Sequence, residues 1–146
     1  MSDAAGYPVH GRCLCGACSF TGRATAMTTS VCHCETCRRW TGGVLFSVDL
    51  GGNLDIDAAA PVSVYASSSH MDRVRCKICG APLYRHDKGL NRYFAVMEAL
   101  DDPGAFDFDL QIFIDEKPKN YEFANKTTTL TGAEFMAQLD KLLGRG

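Results

Sequence analysis

The chain has 146 residues, of which 46% are hydrophobic, and it carries a formal net charge of −2. This length and composition fit one folded domain with a sizeable core and argue against a disordered chain. The near-neutral charge gives no electrostatic case for binding nucleic acid or an anionic membrane surface. No apolar run reaches the roughly 18 residues that a membrane span requires.

The N-terminal residues and the cysteine content bear on the compartment. Residues 1–6 lack the basic and apolar regions of a signal peptide, so we expect a cytoplasmic protein. Eight cysteines are many for a reducing compartment, and four disulfides are one interpretation of this even number. We favour metal binding, because the cysteines have knuckle spacings and clustered thiolates bind soft divalent ions, zinc above all.

The first predicted element is a strand near Tyr7–Arg12, which leads into the pair Cys13 and Cys15. Gly16 directly after this pair suits the tight turn of a zinc knuckle, where backbone amides can point at thiolate sulfur. The alternation that begins at Cys18 predicts that a strand leaves the turn. For Cys18 itself we prefer the role of a small buried side chain, since free cysteine is among the most buried residue types.

Three thiols fall within six residues, at Cys32, Cys34 and Cys37. A closed zinc site uses four protein ligands, whereas a catalytic zinc keeps one position open for water or substrate. Because no fourth cysteine follows nearby, we interpret this cluster as a metal site with an open position. Residues 35–40 can form one helical turn, which the glycines at positions 42 and 43 would end.

Alternating apolar residues predict four strands in the middle of the chain, at residues 44–50, 62–66, 71–75 and 93–97. The clearest strand is 106–114, for which we expect one buried apolar face. The unit Cys76-x-x-Cys79-Gly has the spacing of a second zinc knuckle. Residues 131–143 combine a capping box with apolar residues at helical spacing. We therefore predict a mainly β fold with a C-terminal helix, as a single domain over residues 1–146.

The spacings allow two ways of dividing the cysteines between metal ions. In one, the two knuckles form a closed structural site from Cys13, Cys15, Cys76 and Cys79, and the three central thiols keep a vacancy. In the other, the central thiols take a fourth ligand from position 13, 15 or 18. Spacing slightly favours the first division and leaves the second open.

The three cysteine motifs, in this order, resemble those of the glutathione-dependent formaldehyde-activating enzyme family. The motifs are Cys-x-Cys-Gly-Ala, Cys-His-Cys-x-x-Cys-Arg-Arg and Cys-x-x-Cys-Gly-Ala-Pro-Leu, and the segment 112–118 looks like the final strand and turn of that family. The similarity runs over residues 11–123. It implies a β-tent of packed antiparallel sheets with two zinc ions. It places a structural zinc on Cys13, Cys15, Cys76 and Cys79 and a catalytic zinc on Cys32, Cys34 and Cys37.

The resemblance also implies a chemistry, that of a carbon–sulfur lyase that forms or cleaves S-hydroxymethylglutathione from glutathione and an aldehyde. The sulfur of glutathione would take the fourth position on the catalytic zinc. Arg38 and Arg39 are candidates to bind the carboxylates of glutathione, because guanidinium groups match carboxylate geometry. Alternatively, these two arginines are solvated and balance the charge of the thiolates.

Two further expectations concern His33 and the competing function. His33 lies between two ligands, so we expect it beside the metal site or at the surface rather than as a ligand. The competing function is a non-catalytic zinc module that binds a thiol ligand or a protein partner. The sequence leaves the oligomeric state open.

Overall fold

The computed structural model describes residues 6–144 and is mainly β, as predicted. Two α-helices are present in these residues, α1 (Glu35–Thr41) and α2 (Gly132–Leu142). Eleven strands account for most of the remaining regular structure: β1 (Tyr7–Arg12), β2 (Ser19–Ala24), β3 (Thr28–Cys32), β4 (Leu45–Asp49), β5 (Leu54–Ile56), β6 (Val62–Ala66), β7 (Met71–Cys76), β8 (Pro82–Asp87), β9 (Arg92–Val96), β10 (Asp107–Ile112) and β11 (Thr128–Leu130).

Contacts within the chain divide the described residues into two compact units. The first unit contains residues 6–28 and 47–107, and the second contains residues 29–46 and 108–144. The chain passes between the units within β4. Organisation as one domain over residues 1–146 stays a prediction.

The first unit contains two antiparallel arrays of strands and a continuous core. One array has the order β1-β2-β5, and the other has the order β4-β9-β8-β7-β6. Its core consists mainly of apolar side chains that alternate along these strands, as expected for sheets with one covered face. Fully buried members include Phe20, Val48, Leu50 and Leu83. The core also contains cysteines, so the apolar packing extends to the ends of the strands that carry metal ligands.

The second unit places four strands in the order β11-β10-β3-β4, together with both helices. Strands β10 and β11 pair in parallel, which departs from the purely antiparallel sheets that we expected. Three aromatic rings pack edge to face in this unit, with centroids 5.1 Å apart for Phe46 and Phe108 and 5.0 Å apart for Phe108 and Phe123. Such pairs stabilise beyond the area that they bury. This cluster fixes the segment after β10 against the sheet.

Strand β10 is shorter than the predicted strand over residues 106–114. It ends at Ile112 because Phe113 adopts the left-handed region, with φ 55°, and a 3₁₀ turn follows over Ile114–Glu116. Asp115 in this turn accepts a hydrogen bond of 2.8 Å from the backbone N–H of Gly132 at the start of α2. The apolar alternation continues past the point at which the backbone turns, so periodicity alone did not predict this end.

Helix α2 begins as the sequence predicts. The side chain of Thr131 accepts the N–H of Glu134, and the Glu134 carboxylate accepts the N–H of Thr131, which completes the capping box. Gly144 follows the helix with φ 74°, in the left-handed region that glycine favours. The predicted C-terminal helix is thereby confirmed.

Two expectations about compartment have different standings. Among residues 6–144, no helix is long and apolar enough to cross a membrane. The expectation that the N-terminus is not a signal peptide concerns residues 1–5, which lie outside the described part of the chain. The cytoplasmic localisation stays a prediction.

Candidate metal centres

The first unit contains a cluster of four thiols, from Cys13, Cys15, Cys76 and Cys79, which we call the knuckle site. Their sulfur atoms all lie within 4.8 Å of one another. The sulfurs of Cys13 and Cys15 are 3.7 Å apart, and those of Cys15 and Cys76 are 3.8 Å apart. Tetrahedral zinc with Zn–S bonds of about 2.3 Å places its sulfurs about 3.8 Å from one another. The four thiols therefore fit a tetrahedral zinc ion.

The two halves of the knuckle site are built in the same way. The backbone N–H groups of Cys13 and Cys76 each donate to the carbonyl five residues further on, at 3.0 Å. Gly16 and Gly80 close the two turns with φ values of 81° and 79°, a region that glycine enters without a steric penalty. The sulfurs of Cys13 and Cys76 each accept a backbone N–H at 3.3 Å. These hydrogen bonds stabilise the thiolate form that binds a metal.

Cys79 and Cys18 show opposite shifts in thiol pKa. The backbone amides of Ala81 and Cys15 lower the pKa of Cys79 to about 6, so this thiol is ionised at neutral pH. Burial raises the pKa of Cys18 to about 12, and its thiol donates to the carbonyl of Pro61 at 3.4 Å. Cys18 is fully buried and belongs to neither thiol cluster, in agreement with its predicted role as a small core residue.

The second unit contains Cys32, Cys34 and Cys37, which we call the three-thiol site. Their sulfur atoms lie within 4.8 Å of one another, with Cys32 and Cys37 buried and Cys34 partly exposed. Among residues 6–144, no further histidine, cysteine or carboxylate joins this group. The structure therefore brings together the division of cysteines that spacing slightly favoured, four in one cluster and three in the other.

Helix α1 arranges the three-thiol site. The sulfur of Cys34 caps the helix by accepting the N–H of Cys37 at 3.4 Å, and this turn brings the two thiols together. Gly42, with φ 80°, ends the helix as predicted. The neighbouring thiols of Cys34 and Cys37, together with burial, raise the pKa of Cys32 well above its ordinary value. Three thiolates this close repel one another, so a divalent cation is the natural counter-charge.

Strand β10 holds the loop that carries the first two ligands. The N–H of His33 donates to the carbonyl of Ile112 at 3.0 Å, and Nε2 of His33 lies 2.8 Å from Oε1 of Gln111. The amide nitrogen of Gln111 donates to the hydroxyl of Thr127 at 2.9 Å, which leaves its oxygen to accept from His33. Burial lowers the pKa of His33, so its ring is neutral at neutral pH. His33 is buried beside the three-thiol site and is outside the ligand group, as expected.

This assignment leaves one nitrogen of His33 without a partner. The Nδ1 atom is buried and has no hydrogen-bond partner among the described residues. Because Nε2 carries the proton toward Gln111, Nδ1 is an acceptor. The ring is therefore held by a single side-chain hydrogen bond, and Gln111 decides its orientation.

We expect Gln111→Leu to lower the free energy of unfolding by about 1–3 kcal/mol, because it leaves a buried donor of His33 unpaired. Denaturant titration of the zinc-loaded protein measures this loss. The double variant Gln111→Leu/His33→Phe removes both partners and is expected to recover part of it. Equal stability of the wild type and Gln111→Leu would show that this hydrogen bond does not hold the loop.

The two candidate substrate-binding arginines differ in their surroundings. Nε of Arg38 donates to the carbonyl of His33 at 2.9 Å, so this side chain lies along the ligand loop. Arg39 forms an exposed pair with Glu35 at 2.6 Å, and its side chain is 77% exposed. The carboxylate of Glu116 accepts the N–H of Glu35 at 3.0 Å, which ties the start of α1 to the turn after β10.

Several residues around the three-thiol site were missed by the sequence analysis. Gln111 and Thr127 form the network behind His33, and the Phe123 ring lies 6.2 Å from the His33 ring between centroids. Gln111 is one of the most buried residues of β10, although the apolar pattern placed it on the polar face. A single polar residue within an apolar strand was the only available signal.

Comparisons with known proteins agree with this geometry. A sequence model of the glutathione-dependent formaldehyde-activating enzyme family matches residues 8–116. The chain is similar to an uncharacterized lyase of Schizosaccharomyces pombe, with 36% identity over 132 residues, which cover 90% of this chain and 96% of that protein. It is also similar to the crystal structure of a Rhodobacter sphaeroides protein, with a TM-score of 0.56 and 19% identity, covering 68% of this chain and 98% of that one. The structural match bears on the fold alone.

Proposed function

The chain belongs to the glutathione-dependent formaldehyde-activating enzyme family, and we propose on that basis that it is a carbon–sulfur lyase acting on a glutathione–aldehyde adduct. The family and the similar lyase support lyase activity in general terms. The observation that carries the specific proposal is the three-thiol site, a cluster of three close sulfurs without a fourth protein ligand in the described chain. A binding partner with a sulfur of its own completes such a set.

We assign different roles to the two thiol clusters. The knuckle site has the complete donor set of a structural zinc and joins two distant parts of the first unit. The three-thiol site has the donor set of a zinc with an open position. Zinc held there supplies a position at which a thiol binds as a nucleophilic thiolate.

The reaction that we propose balances without a further reactant. In the synthetic direction the sulfur of glutathione bonds to the carbonyl carbon of formaldehyde. The carbonyl π pair moves to oxygen, which receives the proton released from the thiol, and S-hydroxymethylglutathione results. In the lyase direction the same carbon–sulfur bond breaks.

The residues around the three-thiol site orient the substrate in this proposal. Arg38 and Arg39 follow the last ligand directly and carry guanidinium groups that match carboxylates. Arg38 is held along the ligand loop by its hydrogen bond to His33, so its position relative to the thiols is fixed. We assign the carboxylates of glutathione to these arginines, with Arg38 as the better-oriented one.

Exchange of formaldehyde with glutathione, measured by NMR exchange spectroscopy, tests the proposed function. This addition also proceeds without an enzyme, so the exchange rate must be compared with a protein-free sample. We expect the rate to rise in proportion to the concentration of the zinc-loaded protein. After removal of zinc by a chelator it should fall to the protein-free value, and added zinc should restore it.

A zinc-loaded, folded protein that leaves the exchange rate at the protein-free value would contradict the lyase proposal. That outcome would favour the non-catalytic zinc module as the function. Circular dichroism of the same sample supplies the control for folding, because the β-sheet signal reports the fold independently of exchange.

A further inference from the structure

We propose that a cleft in the second unit binds the peptide part of glutathione; this inference rests on the proposed function. The cleft has a volume of about 670 Å³, within the range of about 300–1,000 Å³ typical of small-molecule sites. We call it the lysine cleft. Its charged lining residues are Asp115, Lys117, Lys119, Glu122 and Lys126, and its polar ones include Gln111, Asn125, Thr127 and Thr129.

The inner wall of the lysine cleft adjoins the three-thiol site. Gln111 and Phe123 line the cleft, and both contact His33. His33 lies between the ligands Cys32 and Cys34 in the chain. One side chain therefore separates the inner wall of the cleft from the ligand loop, which is the relation expected if peptide and thiol of one substrate bind in neighbouring places.

The charges of the lysine cleft complement those of glutathione. Glutathione carries two carboxylates and one ammonium group at neutral pH. Lys119 and Lys126 are exposed, and neither has an ion-pair partner among residues 6–144. Glu122 is 85% exposed at its side chain, and its one described ion-pair contact is with Lys117 at 3.8 Å. Two available cations and one available anion match the two anions and one cation of the ligand.

The other charged groups of the lysine cleft are engaged in holding its walls. The ammonium group of Lys117 donates to the carbonyls of Pro118 and Tyr121 and stands over the Tyr121 ring. The carboxylate of Asp115 accepts the N–H of Gly132 at the start of α2. These contacts fix the segment after β10 before a ligand arrives, and such preorganisation lowers the entropic cost of binding.

Uncharged polar groups in the lysine cleft suit the two amide bonds of glutathione. The hydroxyl of Thr127 accepts from Gln111 and retains its own proton to donate. Asn125 offers both a donor and an acceptor and is exposed. A cleft with both kinds of group can satisfy the amides of a tripeptide, whereas a purely cationic surface would select for charge alone.

S-Methylglutathione separates binding in the cleft from binding to the metal, because its methylated sulfur cannot form a thiolate. We expect it to bind the zinc-loaded wild type and to shift resonances of the segment 111–129 in an NMR titration. The variant Lys119→Gln/Lys126→Gln should weaken this binding about tenfold, because two exposed charge contacts are lost. The matched variant Lys88→Gln/Lys141→Gln loses the same charge outside the cleft and should bind as the wild type does.

Equal affinity of the wild type and Lys119→Gln/Lys126→Gln for S-methylglutathione would overturn the inference, and so would failure of the wild type to bind it. If exchange activity persists in either case, the proposed function stands and only the cleft assignment fails. If the variant loses binding while the wild type shows no exchange, the cleft assignment stands and the lyase proposal fails.

Discussion

The Cys34→Ser variant is expected to lose at least about 100-fold of the protein-dependent rate of formaldehyde–glutathione exchange. Loss of groups that merely support a metal ligand costs roughly 10–100-fold, and loss of the ligand itself should cost more. Cys34 is partly exposed and lies at the start of α1, so serine fits there without a cavity. Its hydroxyl can also cap the helix as the sulfur does. The fold should therefore persist, and the loss should appear in exchange and in zinc content together.

Cys18→Ala is the matched control for Cys34→Ser. Cys18 is a buried cysteine outside both thiol clusters, so its removal should leave the exchange rate and the zinc content unchanged. Exchange spectroscopy and elemental analysis of the two purified variants make the comparison. A Cys34→Ser protein that exchanges formaldehyde at the wild-type rate would contradict the role of the three-thiol site.

The Cys76→Ser variant is expected to lose the fold rather than the chemistry alone. Cys76 is 1% exposed and joins the second half of the knuckle site to the first across a long loop. Binding of structural zinc contributes free energy to folding directly, and a domain of this size has only about 5–15 kcal/mol of stability in total. A loss of at least about 3 kcal/mol would lower Tm by roughly 6–12 °C.

Thermal unfolding followed by circular dichroism measures this change, with Cys18→Ala again as the control. We expect Cys76→Ser to contain one zinc fewer than the wild type and to unfold at lower temperature. Cys34→Ser should also contain one zinc fewer, but with a much smaller change in Tm. If the two ligand variants lower Tm equally, the division into a structural and a catalytic site is wrong.

The cysteine clusters could be predicted from the sequence because a metal site is encoded by residue type and short spacing. Cys32, Cys34 and Cys37 are close in the chain and therefore close in space, whatever the rest of the fold is. The pairing of Cys13 and Cys15 with Cys76 and Cys79 joins distant segments, and spacing alone left a second division open. The resemblance to a family implied the pairing, and the sulfur positions agree with it.

The surroundings of the three-thiol site could not be predicted in the same way. Gln111 reaches His33 across paired strands, and this contact depends on the register of β10, which no local pattern encodes. The left-handed backbone of Phe113 ends β10 early, although an aromatic residue seldom adopts that conformation. The lysine cleft is formed by the irregular segment that follows, where periodicity carries no information.

Cadmium-113 NMR tests the central claim most directly, because cadmium replaces zinc at thiolate sites and each bound ion gives its own resonance. The account predicts two resonances in the cadmium-loaded wild type. One should shift when glutathione is added, remain in place with S-methylglutathione, and be absent from Cys34→Ser. The other, from the knuckle site, should stay unchanged throughout. A spectrum in which glutathione moves neither resonance would contradict an open position at the three-thiol site.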